Sequence, residues 1–140
     1  QRYRESLVAY RGALDLRPEA YRAHIGMAKA QMKLGREAQV LAHLKAALEI
    51  EPDTYPARQL LALFYLKRGD TRQALGEYHE MIRIRPWSAQ PHFLIGRAIR
   101  RLGRHQEARQ NFLRALELDA NHAGARRALR LMGRKQPPGG

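Results

Sequence analysis

The chain has 140 residues, about the length of one domain, and carries 26 Lys and Arg against 13 Asp and Glu, a formal net charge of +13. It has no cysteine, which excludes a disulfide framework, a thiolate metal site and a cysteine nucleophile, and leaves a cytoplasmic or a periplasmic location equally open. The longest apolar stretch, residues 60–66, is far shorter than the roughly 20 residues of a membrane-spanning helix.

The first predicted helix covers residues 2–17, where apolar and small side chains recur at helical spacing. Ser6, Tyr10 and Ala13 form one such column. The helix ends near Pro18, because the residue before a proline avoids the α region and proline itself has no backbone donor.

A period of 34 residues organises the chain. Pro18, Pro52 and Pro86 recur at this spacing after similar segments. Each period holds two predicted helices, and the full units are residues 20–53, 54–87 and 88–121. Residues 1–19 then correspond to the second helix of a unit whose first helix is missing, so we expect a piece of a longer chain.

A glycine separates the two helices of each full unit, at Gly35, Gly69 and Gly103. Glycine suits the end of a helix because it tolerates a positive φ. The second helices carry columns of small and large apolar residues, which predict close antiparallel packing within each pair. Two prolines fall in the first turns of their helices, behind the expected N-caps Thr54 and Ser88.

The last predicted helix, residues 122–132, is a first helix without a second. Its arginines, Arg126, Arg127 and Arg130, provide the polar face expected of a capping helix or half repeat. Residues 133–140 have the composition of a flexible tail. The half repeats at both ends also make self-association through exchanged helices plausible.

A 34-residue helix-turn-helix unit with these columns resembles the tetratricopeptide repeat (TPR) family, whose motif runs W-x2-L-G-x2-Y, then a small residue, an aromatic, Ala and Pro. The second unit matches it with Arg58, Leu61, Ala62, Tyr65, Ala74, Tyr78, Met81 and Pro86. The tryptophan position is lost in every unit, and Gln31 replaces the tyrosine in the first. The resemblance covers nearly the whole chain and implies an all-α fold, a right-handed α-solenoid (TPR superhelix) of antiparallel pairs with about eight helices.

Stacked helix pairs line a concave groove with their first helices, and the resemblance implies a non-catalytic scaffold that binds a protein or peptide there and assembles a multiprotein complex. By helical phase, the predicted binding residues are Ile25, Lys29, Met32, Lys33, Leu60, Leu63, Leu66, Lys67, Phe93, Arg97, Arg100 and Arg101. Chaperone adaptors of this family hold a terminal carboxylate with a Lys, Asn and Arg clamp. Here only Lys29 suits such a clamp, so that activity is not expected.

Leu60, Leu63 and Leu66 are the most informative positions, with two interpretations. Either they are exposed in the groove as apolar anchors for a ligand, or the helix is buried nearly all round. If exposed, three buried leucines contribute about 1.5 to 3 kcal/mol each, which after the cost of association favours micromolar affinity. We expect an amphipathic helix or extended peptide with Asp or Glu beside apolar anchors.

The C-terminal end is the more basic, with 11 basic and 3 acidic residues from Trp87 onward. These arginines suggest an alternative, an anion-binding module for RNA or membrane surfaces. A solvated arginine surface is the simpler explanation, because aromatic residues are not interleaved with the cations as strand stacking requires. A further alternative is an accessory arm of a larger enzyme or secretion protein.

Candidates for chemistry are few. Trp87 lies in a turn and either packs over the adjoining helix ends or anchors an interface. His24 and His92 occupy the family's tryptophan position, which predicts packing, and no two of the six histidines are four residues apart. Glu77 and Glu80 beside a histidine are expected to be exposed charges. The sequence predicts no catalytic residue, no cofactor and no metal site.

Overall fold

The computed structural model describes residues 2–133, and within them the chain forms eight α-helices and no strand. The helices are α1 (Arg2–Leu16), α2 (Tyr21–Lys33), α3 (Glu37–Ile50), α4 (Tyr55–Lys67), α5 (Thr71–Ile84), α6 (Ala89–Arg101), α7 (His105–Leu118) and α8 (Ala123–Gly133). The predicted all-α fold with about eight helices is confirmed. The predicted tail, residues 133–140, lies outside the described residues except for Gly133, which ends α8.

The described residues form two compact units that divide within α5, between Glu77 and Tyr78. In the first unit, α2 packs against α1, α3 and α4. In the second, α7 packs against both α6 and α8. Within each unit, helices that follow one another in the sequence therefore pack together through short turns, as in a chain of helical hairpins.

The three first helices α2, α4 and α6 end in the same Schellman motif. Gly35, Gly69 and Gly103 have φ values of 72°, 80° and 77°, a region that favours glycine. At the end of α2, the Arg36 N–H donates to the Gln31 carbonyl at 2.9 Å and the Gly35 N–H to the Met32 carbonyl at 3.3 Å. The prediction of positive φ at these glycines is confirmed.

Thr54 and Ser88 directly precede α4 and α6, as predicted, but neither hydroxyl forms the side-chain hydrogen bond of an N-cap. A capping oxygen normally accepts from the second or third N–H of the helix. Pro56 and Pro91 occupy the second position of α4 and the third of α6, and proline has no N–H. The predicted N-cap positions are therefore correct, but the side-chain hydrogen bonds are absent, and each proline removes one of the two N–H groups that could donate one.

The core of the first unit lies between α2, α3 and α4. Its buried members are Ala28, Val40, Leu44, Ala47, Ala57, Leu61 and Phe64. Small residues on one helix lie against large ones on the next, so the backbones approach closely. At Gly26 there is no room for a side chain, because the Tyr10 ring of α1 lies against the glycine.

The second unit repeats this packing with a larger ring. Phe112 of α7 is fully buried and lies against Gly96 of α6. A Cβ added to Gly96 would be 2.6 Å from the Phe112 ring and 3.1 Å from the Ala108 carbonyl. The close contact of α6 with α7 therefore depends on a glycine at this position.

Helix α1 differs from the other second helices. At the column of Ser6, Tyr10 and Ala13, the equivalent residues of α3, α5 and α7 are all buried, whereas α1 has no buried residue. Ala13 is exposed, and the two others are half-buried. The exposure follows from the absence of a first helix beside α1 in the described residues.

The first prediction concerns the glycine contacts. Gly96→Ala should lower the free energy of unfolding by about 1 to 3 kcal/mol, because Phe112 and the α7 backbone leave no room for a methyl group. Gly76→Ala is the matched control. Gly76 also lies in a helix, but it is exposed, and an added Cβ would have nothing within 4 Å. It should be neutral or stabilise by up to about 1 kcal/mol. Urea unfolding of both variants measures the difference, and equal effects would contradict the packing argument.

Candidate functional site

The predicted binding residues divide between the two units. We define the first-unit surface as the eight that lie on α2 and α4, two helices in contact with each other: Ile25, Lys29, Met32, Lys33, Leu60, Leu63, Leu66 and Lys67. We define the second-unit surface as the four on α6: Phe93, Arg97, Arg100 and Arg101. In both, the members recur at three- and four-residue spacing, which places them along one face of each helix.

The first-unit surface has an exposed apolar centre. Leu63 is 51% exposed, while Leu60 and Leu66 are half-buried. Leu60, Ile25 and Met32 pack partly against the unit core, so they form the floor of this surface. The interpretation that α4 is buried all round is therefore wrong at Leu63 and only partly right at its two neighbours.

Cations border this apolar centre. Lys29, Lys33 and Lys67 are exposed. The Lys67 ammonium lies 3.0 Å from a carboxylate oxygen of Glu37, so part of its charge is compensated within the unit. The two lysines of α2 are the cations of this surface that remain most available to an acidic ligand.

The second-unit surface is more basic and less open than predicted. Phe93 is half-buried, and its ring centroid lies 4.8 Å from that of His122 and 6.0 Å from that of Phe112. The Arg97 guanidinium lies over the Phe93 ring at 5.6 Å. Phe93 therefore joins α6 to α7 and α8, and the exposed groups of this surface are mainly Arg97 and Arg101.

Trp87 does not pack over the adjoining helix ends, because its side chain is 72% exposed in the turn before α6. The packing interpretation was wrong here. A residue in a short turn has few neighbours, and the sequence contained no signal for which way the indole points.

A polar contact recurs at one place in every full hairpin and was missed by sequence analysis. We define a clamp pair as the first-helix residue at the lost tryptophan position and the second-helix residue 19 positions later. In the second hairpin, Arg58 Nη1 donates to Glu77 Oε2 at 2.9 Å, with both side chains less than one-fifth exposed. Glu77 is therefore not the exposed charge that was expected.

The other two hairpins place histidine in the clamp pair. In the first, the Nδ1 atoms of His24 and His43 lie 2.9 Å apart. In the third, His92 hydrogen-bonds to Asn111. The prediction that His24 and His92 pack at the tryptophan position was correct in place, but each also has a polar partner on the facing helix.

Burial is the main cause of the lowered pKa of His43 and of His92. It lowers the pKa of His43, and the positive charge that His24 can carry lowers it further. Burial also lowers the pKa of His92, reinforced by Arg114 and His79 and opposed by the hydrogen bond to Asn111 and by Glu117. Both histidines thus favour the neutral form in the folded chain.

Among residues 2–133, no three His, Cys, Asp or Glu side chains are grouped as metal ligands would be. No helix in that range is long and apolar enough to cross a membrane.

Comparisons with known proteins agree with this geometry. One tetratricopeptide repeat model matches residues 1–64, and a second matches residues 89–122. No curated protein sequence matches the chain.

Several solved structures share the fold. YrrB, described as a TPR protein with an unusual peptide-binding site, is 19% identical with a TM-score of 0.79, and the alignment covers 91% of this chain and 66% of YrrB. A structure of MamA is 21% identical with a TM-score of 0.77, covering 86% of this chain and 66% of that one. MamA from Desulfovibrio magneticus RS-1 is also 21% identical, with a TM-score of 0.75 and coverage of 86% and 68%. The chain thus spans about two thirds of the length of these proteins.

The fold and its repeated contacts define a repeat protein built from helical hairpins with a common register. Together the two matching models span more than half of the chain, and the chain belongs to the tetratricopeptide repeat family.

The second prediction tests the clamp pair of the second hairpin. Glu77→Ala removes a carboxylate that Arg58 holds in a half-buried position, and should lower the free energy of unfolding by about 1 to 3 kcal/mol. Glu117→Ala breaks a second Arg–Glu pair, on α7, in which both side chains are more than half exposed. That control should change stability by no more than about 0.5 kcal/mol. Thermal unfolding of both variants measures the two losses of stability. If Glu117→Ala is as destabilising as Glu77→Ala, burial of the ion pair does not increase its contribution to stability.

Proposed function

We propose that this chain is a non-catalytic scaffold that binds a peptide or protein segment on the first-unit surface and so joins components of a larger assembly. One observation carries the proposal: Leu63 is half exposed on a first helix, between half-buried apolar neighbours and a border of lysines. An exposed apolar centre with a charged border is typical of an interaction surface. The peptide-binding site named for YrrB supports the same kind of ligand.

The chemistry of the surface limits the ligand. Leu63, with Leu60 and Leu66 beside it, suits two or three aliphatic anchors spaced along one face of a helix or on alternate residues of a strand. Lys29 and Lys33 favour Asp or Glu next to those anchors. Side chains of modest size on a shallow surface favour micromolar affinity, so a second contact is required for stable assembly.

The third prediction tests this surface. Leu63→Asp should weaken binding of a fluorescent peptide with leucines at positions i, i+3 and i+7 and flanking glutamates by at least about tenfold, because a carboxylate replaces an apolar contact and repels the glutamates. The control is Leu113→Asp, at a leucine of similar exposure (42%) on the second helix α7. Fluorescence anisotropy measures both. Equal affinity for the two variants would remove the first-unit surface from consideration.

A second candidate function, anion binding, has one specific observation in its favour. Each glutamate of residues 78–133 pairs with an arginine within three positions: Glu80 with Arg83, Glu107 with Arg104, and Glu117 with Arg114. By contrast, six arginines of α6 and α8 form no ion pair within the described residues: Arg97, Arg100, Arg101, Arg126, Arg127 and Arg130. Uncompensated arginines attract phosphate groups or acidic side chains.

The fourth prediction distinguishes binding of phosphate groups from binding of acidic side chains. If the arginines bind phosphates, affinity for a single-stranded RNA should fall steeply with salt, and Arg97→Ser with Arg101→Ser should lessen the slope of log affinity against log salt by about 1 to 2. Arg109→Ser, at an exposed arginine of α7, is the control and should have a smaller effect. Failure of the RNA to bind at about 50 mM salt would exclude nucleic acid and leave acidic protein segments as the ligand.

A further inference from the structure

The contact between His24 of α2 and His43 of α3 is a hydrogen-bonded pair that, when both rings are neutral, allows one arrangement of hydrogens. The Nε2 atom of His24 lies 3.3 Å from the Pro18 carbonyl oxygen, which can only accept. Nε2 of His24 therefore carries hydrogen and its Nδ1 presents a lone pair. His43 must then donate its Nδ1 hydrogen across the 2.9 Å gap.

The two imidazole rings point their Nδ1 atoms at each other. Their centroids lie 5.2 Å apart, which is the 2.9 Å between the nitrogens plus about one ring radius on each side. Both Nδ1 atoms therefore lie close to the line between the rings, the direction in which a hydrogen bond is strongest. When both rings are protonated, each Nδ1 atom carries hydrogen, so that two donors and two positive charges face each other.

We propose that the His24–His43 pair is an acid-sensitive contact that closes the α2–α3 hairpin while one hydrogen lies between the two Nδ1 atoms, and loosens it when both rings become positively charged. The pair is the only clamp pair of the described residues made of two titratable rings. In the equivalent place the second hairpin has Arg58 with Glu77, whose opposite charges attract, and the third has His92 with the neutral Asn111.

No charge other than that of His24 lowers the pKa of His43. The hairpin packs against α1 and α4, whose charged residues are Arg2, Arg4, Glu5, Arg11, Asp15, Arg58 and Lys67. Of these, Arg58 pairs with Glu77 and Lys67 with Glu37. The pKa of His43 is lowered by burial and by His24, and none of those seven side chains contributes.

The lowered pKa of His43 determines how the stability of the hairpin changes with pH. A histidine of the unfolded chain titrates near about pH 6.5, above the folded pKa of His43. The unfolded state therefore binds more protons between the two values. The contribution to stability is present above about pH 6.5 and is lost as the pH falls through the folded pKa.

Loosening of the hairpin also bears on the ligand. His24 directly precedes Ile25 of the first-unit surface, on the same helix as Lys29 and Lys33. We expect acid to weaken binding there, and this consequence rests on the proposed function. The acid-sensitive contact itself does not depend on it.

The first experiment reads the protons directly. Nitrogen-detected NMR of the imidazole rings in the full 140-residue chain at pH 7.5, with EDTA present so that no metal bridges the rings, should show hydrogen on Nε2 of His24 and on Nδ1 of His43. Any other pair of tautomers would overturn the proposal. This measurement needs no variant and so does not depend on a mutant folding.

The second experiment measures opening. Protection factors of α2 and α3 amides should fall about tenfold between pH 7.5 and 5.0, the loss of roughly one hydrogen bond, while those of α4 change less. His24→Arg with His43→Glu installs the charges of the second hairpin in the first and should abolish this fall. His105→Gln, at an exposed histidine of α7, is the control and should preserve it.

A fall that persists in the Arg–Glu variant would refute the pair as its cause. Binding of the leucine–glutamate peptide at both pH values then separates the two proposals. Tight binding at pH 7.5 that weakens at pH 5.0 in the wild type alone supports both. If no peptide binds at either pH while the protection factors still change, the proposed function fails and the acid-sensitive contact stands.

Discussion

The structure depends on how closely two antiparallel helices approach within each hairpin. Glycine or alanine on one helix admits a large side chain from the next, as Gly96 admits Phe112 and Gly26 admits Tyr10. The apolar columns of the second helices α3, α5 and α7 are buried, whereas that of α1 is not. The close contact also leaves the opposite face of each first helix uncovered by its own pair, and the candidate binding residues lie on that face. Close packing and an available surface are thus consequences of the same spacing of side chains.

A clamp pair accompanies this packing at a fixed position. The lost tryptophan of the family motif is replaced by a polar side chain that reaches a partner 19 residues later: histidine to histidine, arginine to glutamate, and histidine to asparagine. These groups are half-buried, so they must be hydrogen-bonded to avoid the cost of desolvation. The three hairpins share one backbone geometry but differ in the charge of this contact. We expect their responses to acid to differ for that reason.

The two surfaces have different chemistry. The first-unit surface combines Leu63 with lysines and suits an apolar ligand with acidic flanks. The second-unit surface has arginines that lack carboxylate partners, while the glutamates of that unit are paired elsewhere. An acidic protein segment fits both surfaces. This charge complementarity supports the proposed scaffold, and it accords with the excess of 26 basic over 13 acidic residues.

Much of the fold was determined by the sequence alone. The 34-residue period is visible in the sequence, and glycine and proline act on the backbone conformation of their own positions. Gly35, Gly69 and Gly103 adopt the positive φ that their positions predicted. Only the tertiary structure decided which side chains meet or remain exposed. It placed Phe93 between α7 and α8, left Trp87 in solvent, left the N-caps Thr54 and Ser88 without a side-chain capping hydrogen bond, and joined His24 to His43. These outcomes depend on the distance between residues far apart in the chain, and helical phase specifies the face of a helix but not what lies opposite it.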